Sequence, residues 1–446
     1  MSKRQLHLNV NILSSGFYAS AWRTTDANPF AFADIGHYVR AAQIAERGKF
    51  DAVFLADQPA INGRLDFGPV LALEPTIVLT AVAAATKNIG VIATASSTYN
   101  EPYNLARRIA SLDLVSGGRA GWNIVTTANP AVARNFGFDD VAQHRERYVR
   151  AAEFADVVKQ LWDSWEDDAF IGDKASGQFA DVSRIHAINH VGPHFSVAGP
   201  LQVPRSPQGR PVLVQAGGSD DGRELAARHA EAIFSVAQTL EEGVTYARDI
   251  RARALRFGRQ ADEIVVLPGL TTIIGATEEE AQRREKELWD LLPESFALDR
   301  LATQLQIDKN RLKLDEPLPD DLPLPENGSQ TFFLAAINFG RRNNLTARQL
   351  LRGLGGSTGH RVIVGTPETI ADSIEEWFNA GAADGFNLMP DVVPSGLEAF
   401  VNGVVPELQR RGLFRTEYSG STLREHFGLR RPENLFASPP TQVKSA

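Results

Sequence analysis

The stretch Ile89-Gly90-Val91-Ile92-Ala93-Thr94 decides the fold class, because it is apolar along almost its whole length instead of alternating between apolar and polar residues. A strand of this kind is typical of a parallel sheet whose two faces are both covered. Predicted helices flank it on both sides, over 76–86 and 103–114. The local order is therefore helix, buried strand, helix.

The same alternation continues in both directions along the chain. Seven further strands are predicted, at 6–13, 52–55, 121–125, 212–216, 232–235, 264–274 and 385–389. Roughly eight strand–helix repeats with right-handed crossovers form either a closed barrel or an open doubly wound sheet. Because no second domain is evident, we predict the α/β class, with one (β/α)8 TIM-like barrel over residues 1–430.

Two stretches interrupt these repeats, at about 170–210 and 292–359. The first is rich in Gly, Pro and His, and the second contains a proline-rich run at 317–325 and a glycine-rich run at 353–359. Both are predicted to be insertions, and long insertions in a compact domain are often lids or binding loops. Residues 431–446 are expected to form a loosely held C-terminal arm.

The composition argues against several classes of function. The 446 residues carry a net charge of −8 and include no cysteine. Without a basic patch a nucleic-acid partner is not expected, and without cysteine there are no disulfides, thiolate nucleophiles or cysteine-bound metals. No segment approaches the roughly 20 apolar residues of a membrane helix, and no signal peptide is evident. We therefore expect a cytoplasmic protein that does not contact a membrane.

A glycine-rich turn, Gln215-Ala-Gly-Gly-Ser-Asp-Asp-Gly222, lies between a predicted strand and a predicted helix. Glycines let backbone amides approach a ligand, and the start of a helix offers free N–H groups to an anion. Gly218 and Ser219 are therefore candidates for phosphate binding. The alternative is a tight turn in which Ser219 only caps the helix, and Asp220 and Asp221 would repel an anion unless they point away.

His144 and Tyr148 stand four residues apart on a predicted helix, so they share a face near its start. Asp139 or Asp140 is expected to cap that helix. Both side chains can donate to an anion. The alternative is a capping histidine followed by a core tyrosine.

Two polar residues end buried strands, Asp57 and Thr94. A carboxylate at such a position is unfavourable unless it meets a partner or a ligand, and the C-terminal ends of barrel strands are where active sites lie. Thr94 is weaker evidence for a functional role than Asp57. Asn123, inside a strand, is either a ligand contact or an interior hydrogen-bonding group.

Other motifs argue against metal and dinucleotide sites. His186, His190 and His194 are spaced by four, but Gly192-Pro193 breaks any helix that would align them, so no metal site is expected. The run 353–359 departs from a dinucleotide fingerprint at its sixth position, Thr358, and neither a P-loop nor a G-x-S-x-G elbow occurs. A resident NAD site is therefore not expected.

Several longer motifs follow one another in a characteristic order. They include Gly48-Lys-Phe-Asp-Ala-Val-Phe-Leu-Ala-Asp57, Thr94-Ala-Ser-Ser-Thr-Tyr-Asn-Glu-Pro-Tyr103, Ser116-Gly-Gly-Arg-Ala-Gly-Trp-Asn-Ile-Val-Thr-Thr127 and Gln215-Ala-Gly-Gly-Ser219. With them the chain resembles, over about 5–429, the bacterial-luciferase-like flavin monooxygenases. The similar branch contains nitrilotriacetate, EDTA, dibenzothiophene-sulfone and long-chain alkane monooxygenases.

The resemblance implies that reduced FMN is the cofactor and reacts with O2 to give a flavin C4a-(hydro)peroxide. It implies flavin contacts at Asp57 and Thr94 near the ring system, and at His144, Tyr148 and Ser219, beside Gly218, near the phosphate. Since no NAD site is evident, a separate NAD(P)H:flavin reductase is expected to supply FMNH2. A homodimer or homotetramer is also expected, and no catalytic acid or base is assigned.

The substrate cues conflict. Residues 126–135 look closest to the aminopolycarboxylate enzymes, whereas 200–209 and 415–418 look closest to the sulfone enzyme, and Ala128 replaces a histidine of the alkane enzymes. We expect oxidative C–N or C–S cleavage of a small organic molecule. An F420-dependent oxidoreductase of the same superfamily is the alternative, and a non-catalytic flavin-binding protein is a third hypothesis.

Overall fold

Eight parallel strands close into a barrel in the computed structural model, which describes residues 4–61, 65–69, 72–325, 330–354 and 359–437. The strands are β1 (His7–Asn11), β2 (Ala52–Leu55), β3 (Gly90–Ser96), β4 (Ala120–Val125), β5 (Val212–Gln215), β6 (Ala232–Ser235), β7 (Val265–Ile274) and β8 (Gly385–Pro390). Each strand pairs with the next, and β8 pairs with β1. The predicted TIM-like barrel is confirmed, and its eight strands are the eight that were predicted.

Helices surround the barrel and form the second insertion. They are α1 (Ile35–Arg47), α2 (Pro75–Ala85), α3 (Pro102–Val115), α4 (Pro130–Asn135), α5 (His144–Trp162), α6 (Asp220–His229), α7 (Leu240–Arg256), α8 (Glu278–Asp290), α9 (Glu294–Leu305), α10 (Gln330–Arg342), α11 (Ala347–Gly353), α12 (Pro367–Asn379), α13 (Ser395–Ala399), α14 (Val405–Arg410) and α15 (Leu423–His426). Alternate strand residues pack outward against these helices, and the others face the barrel interior. None of the helices in the described part of the chain has both the length and the apolar composition that crossing a bilayer requires.

The N-terminal end of the barrel is filled by α15. Leu423 occupies the space beside Gly90 and Gly121, since a Cβ atom at Gly90 would lie 2.6 Å from its Cδ1. Phe427 joins the same apolar interior cluster. Among the described residues, apolar side chains therefore fill this end of the barrel, and we look for a ligand site at the C-terminal ends of the strands.

The first insertion lies along α5 and does not cover the C-terminal ends of the strands. It contains two short hairpins, Phe170–Asp173 with Gln178–Ala180 and His190–Val191 with Ser196–Val197. Glu153 of α5 accepts from the backbone of Phe195 at 3.1 Å, and Gln208 donates to the carbonyl of Ala120 at the lower end of β4 at 2.8 Å. These contacts hold the insertion against α5 and the start of β4.

The second insertion forms a lobe, α9 to α11, with its own apolar core. Phe296 packs on Phe67 in the loop after β2, with ring centroids 5.5 Å apart. On the other side, Arg342 donates to Glu242 at the start of α7 at 2.8 Å. The lobe thus spans the C-terminal end of the barrel from the loop after β2 to the start of α7. Its residues 326–329 and 355–358, which include most of the glycine-rich run, lie outside the described residues.

A ninth strand, Arg361–Gly365, follows the lobe and was not predicted. It pairs in parallel with the part of β7 from Leu270 to Ile274, which extends beyond the level at which β7 pairs with β6. Because it adds to an extension of a barrel strand, it does not change the closure of the barrel.

The start of the C-terminal arm is firmly attached, contrary to expectation. Asn434 donates to the carbonyls of Asp163 and Trp165 at 2.9 and 2.8 Å, and Phe436 stacks on His186 with centroids 5.2 Å apart. Arg431 forms an ion pair with Asp167 at 2.6 Å. Residues 431–437 therefore pack on the first insertion, and 438–446 lie outside the described residues.

Candidate active site

All six residues predicted to contact a cofactor lie at the C-terminal side of the barrel. Asp57 follows β2, Thr94 lies in the upper half of β3, and Gly218 and Ser219 follow β5. His144 and Tyr148 belong to the first turns of α5. Their contacts divide them into a group at the starts of α5 and α6 and a group at the ends of β2 and β3.

The first group brings two helix starts together. His144 Nδ1 lies 3.0 Å from Asp221 Oδ2, and its ring is 4.8 Å from that of Tyr148. The Tyr148 hydroxyl lies beside Gly222, 3.2 Å from the place where a Cβ atom would stand. Ser219 Oγ accepts from the amide of Gly222 at 3.2 Å, so its own proton remains available to donate. Three hydroxyl or imidazole groups therefore converge on one place.

Three side chains hold the backbone of the glycine-rich turn, one from its first residue and two from outside it. Gln215 accepts from the amide of Gly217 at 2.6 Å, and Tyr246 of α7 donates to the carbonyl of Gly217 at 2.9 Å. Arg223 donates to the carbonyl of Gly218 at 3.0 Å. A Cβ atom at Gly217 would lie 2.5 Å from Gln215 and 2.8 Å from Gly222, so only glycine fits there. Sequence reasoning missed Tyr246, since it comes from the next repeat.

The two aspartates of the turn do not point at the same place. Asp220 is largely exposed and forms an ion pair with Arg253 of α7 at 2.6 Å, while Asp221 contacts His144. The repulsion anticipated from Asp220 is thereby removed, and the charge of Asp221 lies against an imidazole.

The predicted acidic cap of α5 is wrong. The helix begins at His144, after Gln143, and no side chain among the described residues caps it. Asp140 instead accepts from the amide of Val141 at 2.7 Å in the preceding loop. The first amides of α5 are therefore left for water or a ligand, as at any uncapped helix start. That start lies against the first turn of α6, which Ser219 caps.

The second group lies at the ends of β2 and β3. Burial and the nearby charge of Glu74 raise the pKa of Asp57 to about 6. Thr94 accepts from the side-chain amide of Asn123 at 2.9 Å inside the barrel. Asn123 therefore makes the interior hydrogen bond that was one of its two predicted roles. A carboxyl group with a raised pKa thus follows β2, and a hydroxyl lies inside the barrel near the end of β3.

The upper barrel interior contains several buried polar atoms without hydrogen-bond partners among the described residues. They belong to inward-facing side chains of four strands: Asn9 Oδ1, Asn11 Oδ1, Asn123 Oδ1, Thr271 Oγ1, and both Oδ1 and Nδ2 of Asn387. Buried polar groups are normally paired, so such a set indicates a place for a ligand or ordered water. Apart from Asn123, sequence reasoning missed them, although asparagines at alternate positions of an apolar strand were a usable signal.

The three spaced histidines do not converge. His186 lies 2.7 Å from Glu166 and His190 lies 2.9 Å from Glu153, while the backbone of His194 donates to Glu153. Each histidine therefore belongs to the contacts of the first insertion. No group of three or more metal-ligating side chains occurs in the described ranges.

The sequence profile of the luciferase-like monooxygenases matches residues 16–384 of this chain. The chain belongs to that family. Among its relatives, this luciferase-like monooxygenase is 47% identical to nitrilotriacetate monooxygenase component A of Aminobacter aminovorans, over 98% of this chain and 99% of the relative. It is 41% identical to dibenzothiophene-sulfone monooxygenase of Rhodococcus erythropolis (strain XP), over 97% and 98% of the two chains.

Its barrel also matches the solved structure of an EDTA monooxygenase from Chelativorans sp. BNC1. The TM-score is 0.79 at 40% sequence identity, and the match covers 96% of this chain and 99% of the other. Because this luciferase-like monooxygenase is more than 40% identical to named monooxygenases over nearly its full length, it is a flavin-dependent oxidoreductase. The resemblance stated from the sequence motifs is confirmed.

Proposed function

We propose that the protein is the oxygenase component of a two-component system. It uses FMNH2 and O2 to oxidise a small organic molecule, with cleavage of a C–N or C–S bond. The observation that carries the proposal is the convergence of His144, Tyr148 and Ser219 where the starts of α5 and α6 meet. Such a place suits the phosphate of FMN, because helix amides and neutral donors favour an anion.

The residues present fit this cofactor. Gly217 and Gly218 leave the backbone of the turn open to a ligand, and three side chains hold it in place. The unpaired side chains of Asn9, Asn11 and Asn123 in the barrel interior match a flavin ring system, which is rich in hydrogen-bonding groups at one edge. Asp57 and Thr94, at the C-terminal ends of β2 and β3, are the ring contacts that this proposal assigns.

Bound reduced FMN would supply the activation of O2, which no side chain of this protein provides. The chain would orient the cofactor, with Ser219 and Tyr148 donating at its phosphate. Asp57, with its pKa raised to about 6, would exchange a proton at a pH much closer to neutral than an ordinary aspartate does. The lobe α9 to α11 would limit the access of water. We assign no general acid or base.

The electrons would come from a separate NAD(P)H:flavin reductase, because no dinucleotide fingerprint occurs in the sequence. The F420-dependent alternative is favoured by no observation on these residues. A homo-oligomer also remains part of the proposal.

Anaerobic titration of the purified protein with photoreduced FMN is the first test, followed by mixing with O2 and either nitrilotriacetate or dibenzothiophene sulfone. We expect binding of FMNH2, slower reoxidation than for free FMNH2, and product from chemically reduced FMN without any reductase. Failure to bind FMNH2 would overturn the proposal. Anaerobic turnover with reduced F420 would favour the alternative, and NADH oxidation by the chain alone would contradict the two-component arrangement.

A further inference from the structure

His360 lies inside the C-terminal end of the barrel, although it belongs to none of the eight strands. Its ring stacks on Phe234 of β6, with centroids 4.9 Å apart and an interplanar angle of 11°, and Phe332 of α10 packs edge-on at 5.4 Å. Only 3% of the residue is exposed, and Nδ1 has no hydrogen-bond partner among the described residues. A buried imidazole with an unpaired nitrogen is unfavourable unless a ligand pairs with it.

The glycine at position 269 leaves room for this ring. Val265 and Leu267 of β7 face the barrel interior, so residue 269, two positions further along the strand, faces it too. A Cβ atom at Gly269 would lie 2.2 Å from His360 Nδ1. The imidazole therefore takes the interior position that a side chain of β7 would otherwise fill.

The neighbour of Gly269 in the sheet is Asn387 of β8. Phe386 and Leu388 pack outward against the helices, so Asn387 faces inward, and neither atom of its amide has a partner among the described residues. Burial lowers the pKa of His360 to about 3, which keeps the imidazole neutral. An imidazole and an amide, each able to donate, thus lie side by side.

Arg300 carries a positive charge on α9, in the lobe that spans the C-terminal end of the barrel. One turn earlier Phe296 packs on Phe67, and one turn later Gln304 donates to the carbonyl of Phe332 at 3.2 Å. Arg300 lies between them on this helix face, which is the face that meets the loop after β2 and the surroundings of His360. It is half-buried and has neither a hydrogen bond nor an ion pair among the described residues, and burial lowers its pKa to about 10 with no opposing acid.

We propose that Arg300, His360 and Asn387 form the substrate-binding end of the active site and recognise a carboxylate of the substrate. The inference rests on the proposed function. His360 and Asn387 adjoin β6, β7 and β8, whereas the proposed phosphate site adjoins β5. A guanidinium without a partner pairs best with a carboxylate, and neutral donors beside it complete the hydrogen bonds. Of the two substrate classes that the sequence left open, the proposal therefore selects the aminopolycarboxylate and not the sulfone.

The test is calorimetric titration of the full chain, with and without FMN, using nitrilotriacetate, its uncharged triamide and dibenzothiophene sulfone as probes. We expect the triacetate to bind about ten- to a hundredfold more tightly than the triamide. R300Q should remove this preference and leave the triamide unchanged, and H360F, which keeps the stacking, should weaken both. R311Q is the matched control, because Arg311 lies in the same lobe in an exposed ion pair with Asp321.

Three results would overturn the assignment: equal binding of acid and triamide, tighter binding of the sulfone, or unchanged binding of the acid to R300Q. Absence of binding by every probe at millimolar concentration would do the same. If H360F folds poorly, the wild type and R300Q still decide the outcome. FMN and riboflavin are titrated in parallel. Loss of FMN affinity in R300Q, with riboflavin unchanged, would assign Arg300 to the cofactor phosphate instead.

The same titrations separate this inference from the proposed function. A wild type that binds no FMNH2 in an anaerobic titration contradicts the proposed function, whatever the probes do. A wild type that binds FMNH2 without any preference for the acid contradicts only the substrate class.

Discussion

His360 Nδ1 lies in the volume that a side chain at position 269 would occupy, since a Cβ atom at Gly269 would come within 2.2 Å of it. His360, which follows the lobe, therefore restricts position 269 of β7 to glycine. The aromatic stack of His360 on Phe234 leaves the ring little room to move away.

Gly269→Ala is therefore expected to destabilise the fold by about 1–3 kcal/mol, the usual penalty for adding a methyl group to a filled interior. Urea unfolding measures the change. Gly340→Ala is the matched control, because its neighbours lie at ordinary contact distances of 3.4 Å and beyond, within α10. We expect that control to be neutral or slightly stabilising. Equal behaviour of the two variants would show that the barrel accommodates the added methyl group.

Ser219→Ala combined with Tyr148→Phe is expected to weaken FMNH2 binding by about 1–3 kcal/mol, through lost hydrogen bonds to a charged group. Anaerobic fluorescence titration measures the affinity. Ser219 also caps α6, so the control is Thr277→Ala, which removes a cap of equal length, 3.2 Å, from α8. The control should lose about 1 kcal/mol of stability and no affinity. Unchanged affinity in the double variant would place the phosphate elsewhere.

Asp57→Asn is expected to stabilise the protein at alkaline pH. Burial and Glu74 raise the pKa of Asp57 to about 6, above its ordinary value, so the folded state loses stability as the pH rises from the ordinary pKa of an aspartate to about 6. The variant should gain about 1–2 kcal/mol at about pH 8, and the gain should vanish below about pH 3, where Asp57 is protonated in the folded and the unfolded state.

Thermal unfolding across this pH range measures the effect of Asp57→Asn. Glu74→Gln should lower the pKa of Asp57 and shift the transition to lower pH. A pH-independent difference between wild type and Asp57→Asn would contradict the assignment of the raised pKa to Asp57.

Arg415→Met is expected to destabilise the protein by about 3–5 kcal/mol, because it leaves the charge of a fully buried carboxylate without its main partner. Although burial acts to raise it, Arg415 and His7 lower the pKa of Asp51 to about 2. The pair therefore stabilises the fold above the ordinary pKa of an aspartate, and this contribution is lost as the pH falls through about 2.

Urea unfolding of Arg415→Met, alone and combined with Asp51→Asn, tests the pair. The double variant should recover part of the loss, since it no longer buries an unpaired charge. Arg40→Met, which breaks the exposed pair with Asp34 at 3.3 Å, is the control and should change stability by less than about 1 kcal/mol. A loss of similar size in the control would contradict the role of burial.

Sequence reasoning located the barrel strands because a strand buried on both faces is apolar without interruption, as in β3. It missed the Arg361–Gly365 strand, which lies at the end of the irregular second insertion and has a partner only where β7 extends beyond the barrel. It also missed α15, since a short helix that fills a barrel end needs only a few apolar residues, such as Leu423.

The predicted phosphate residues came together because each lies at the start of a helix, and the helix starts of a barrel meet at one side. The acidic cap of α5 was wrong for a local reason. Asp140 makes its hydrogen bond within the preceding loop, and the helix starts four residues later. Local sequence offers several candidate caps, and tertiary packing selects among them.

The sequence by itself determined the barrel, the order of its strands and the turn after β5, because these depend on apolar runs, glycines and capping residues that act over short distances. Only the tertiary structure decided how the turn after β5 is held and what lies opposite it. Tyr246 reaches Gly217 from the next repeat, and His360, which follows the second insertion, reaches Gly269 in the barrel end. Contacts between residues this far apart in the chain leave no local pattern, so chain closure and packing alone bring them together.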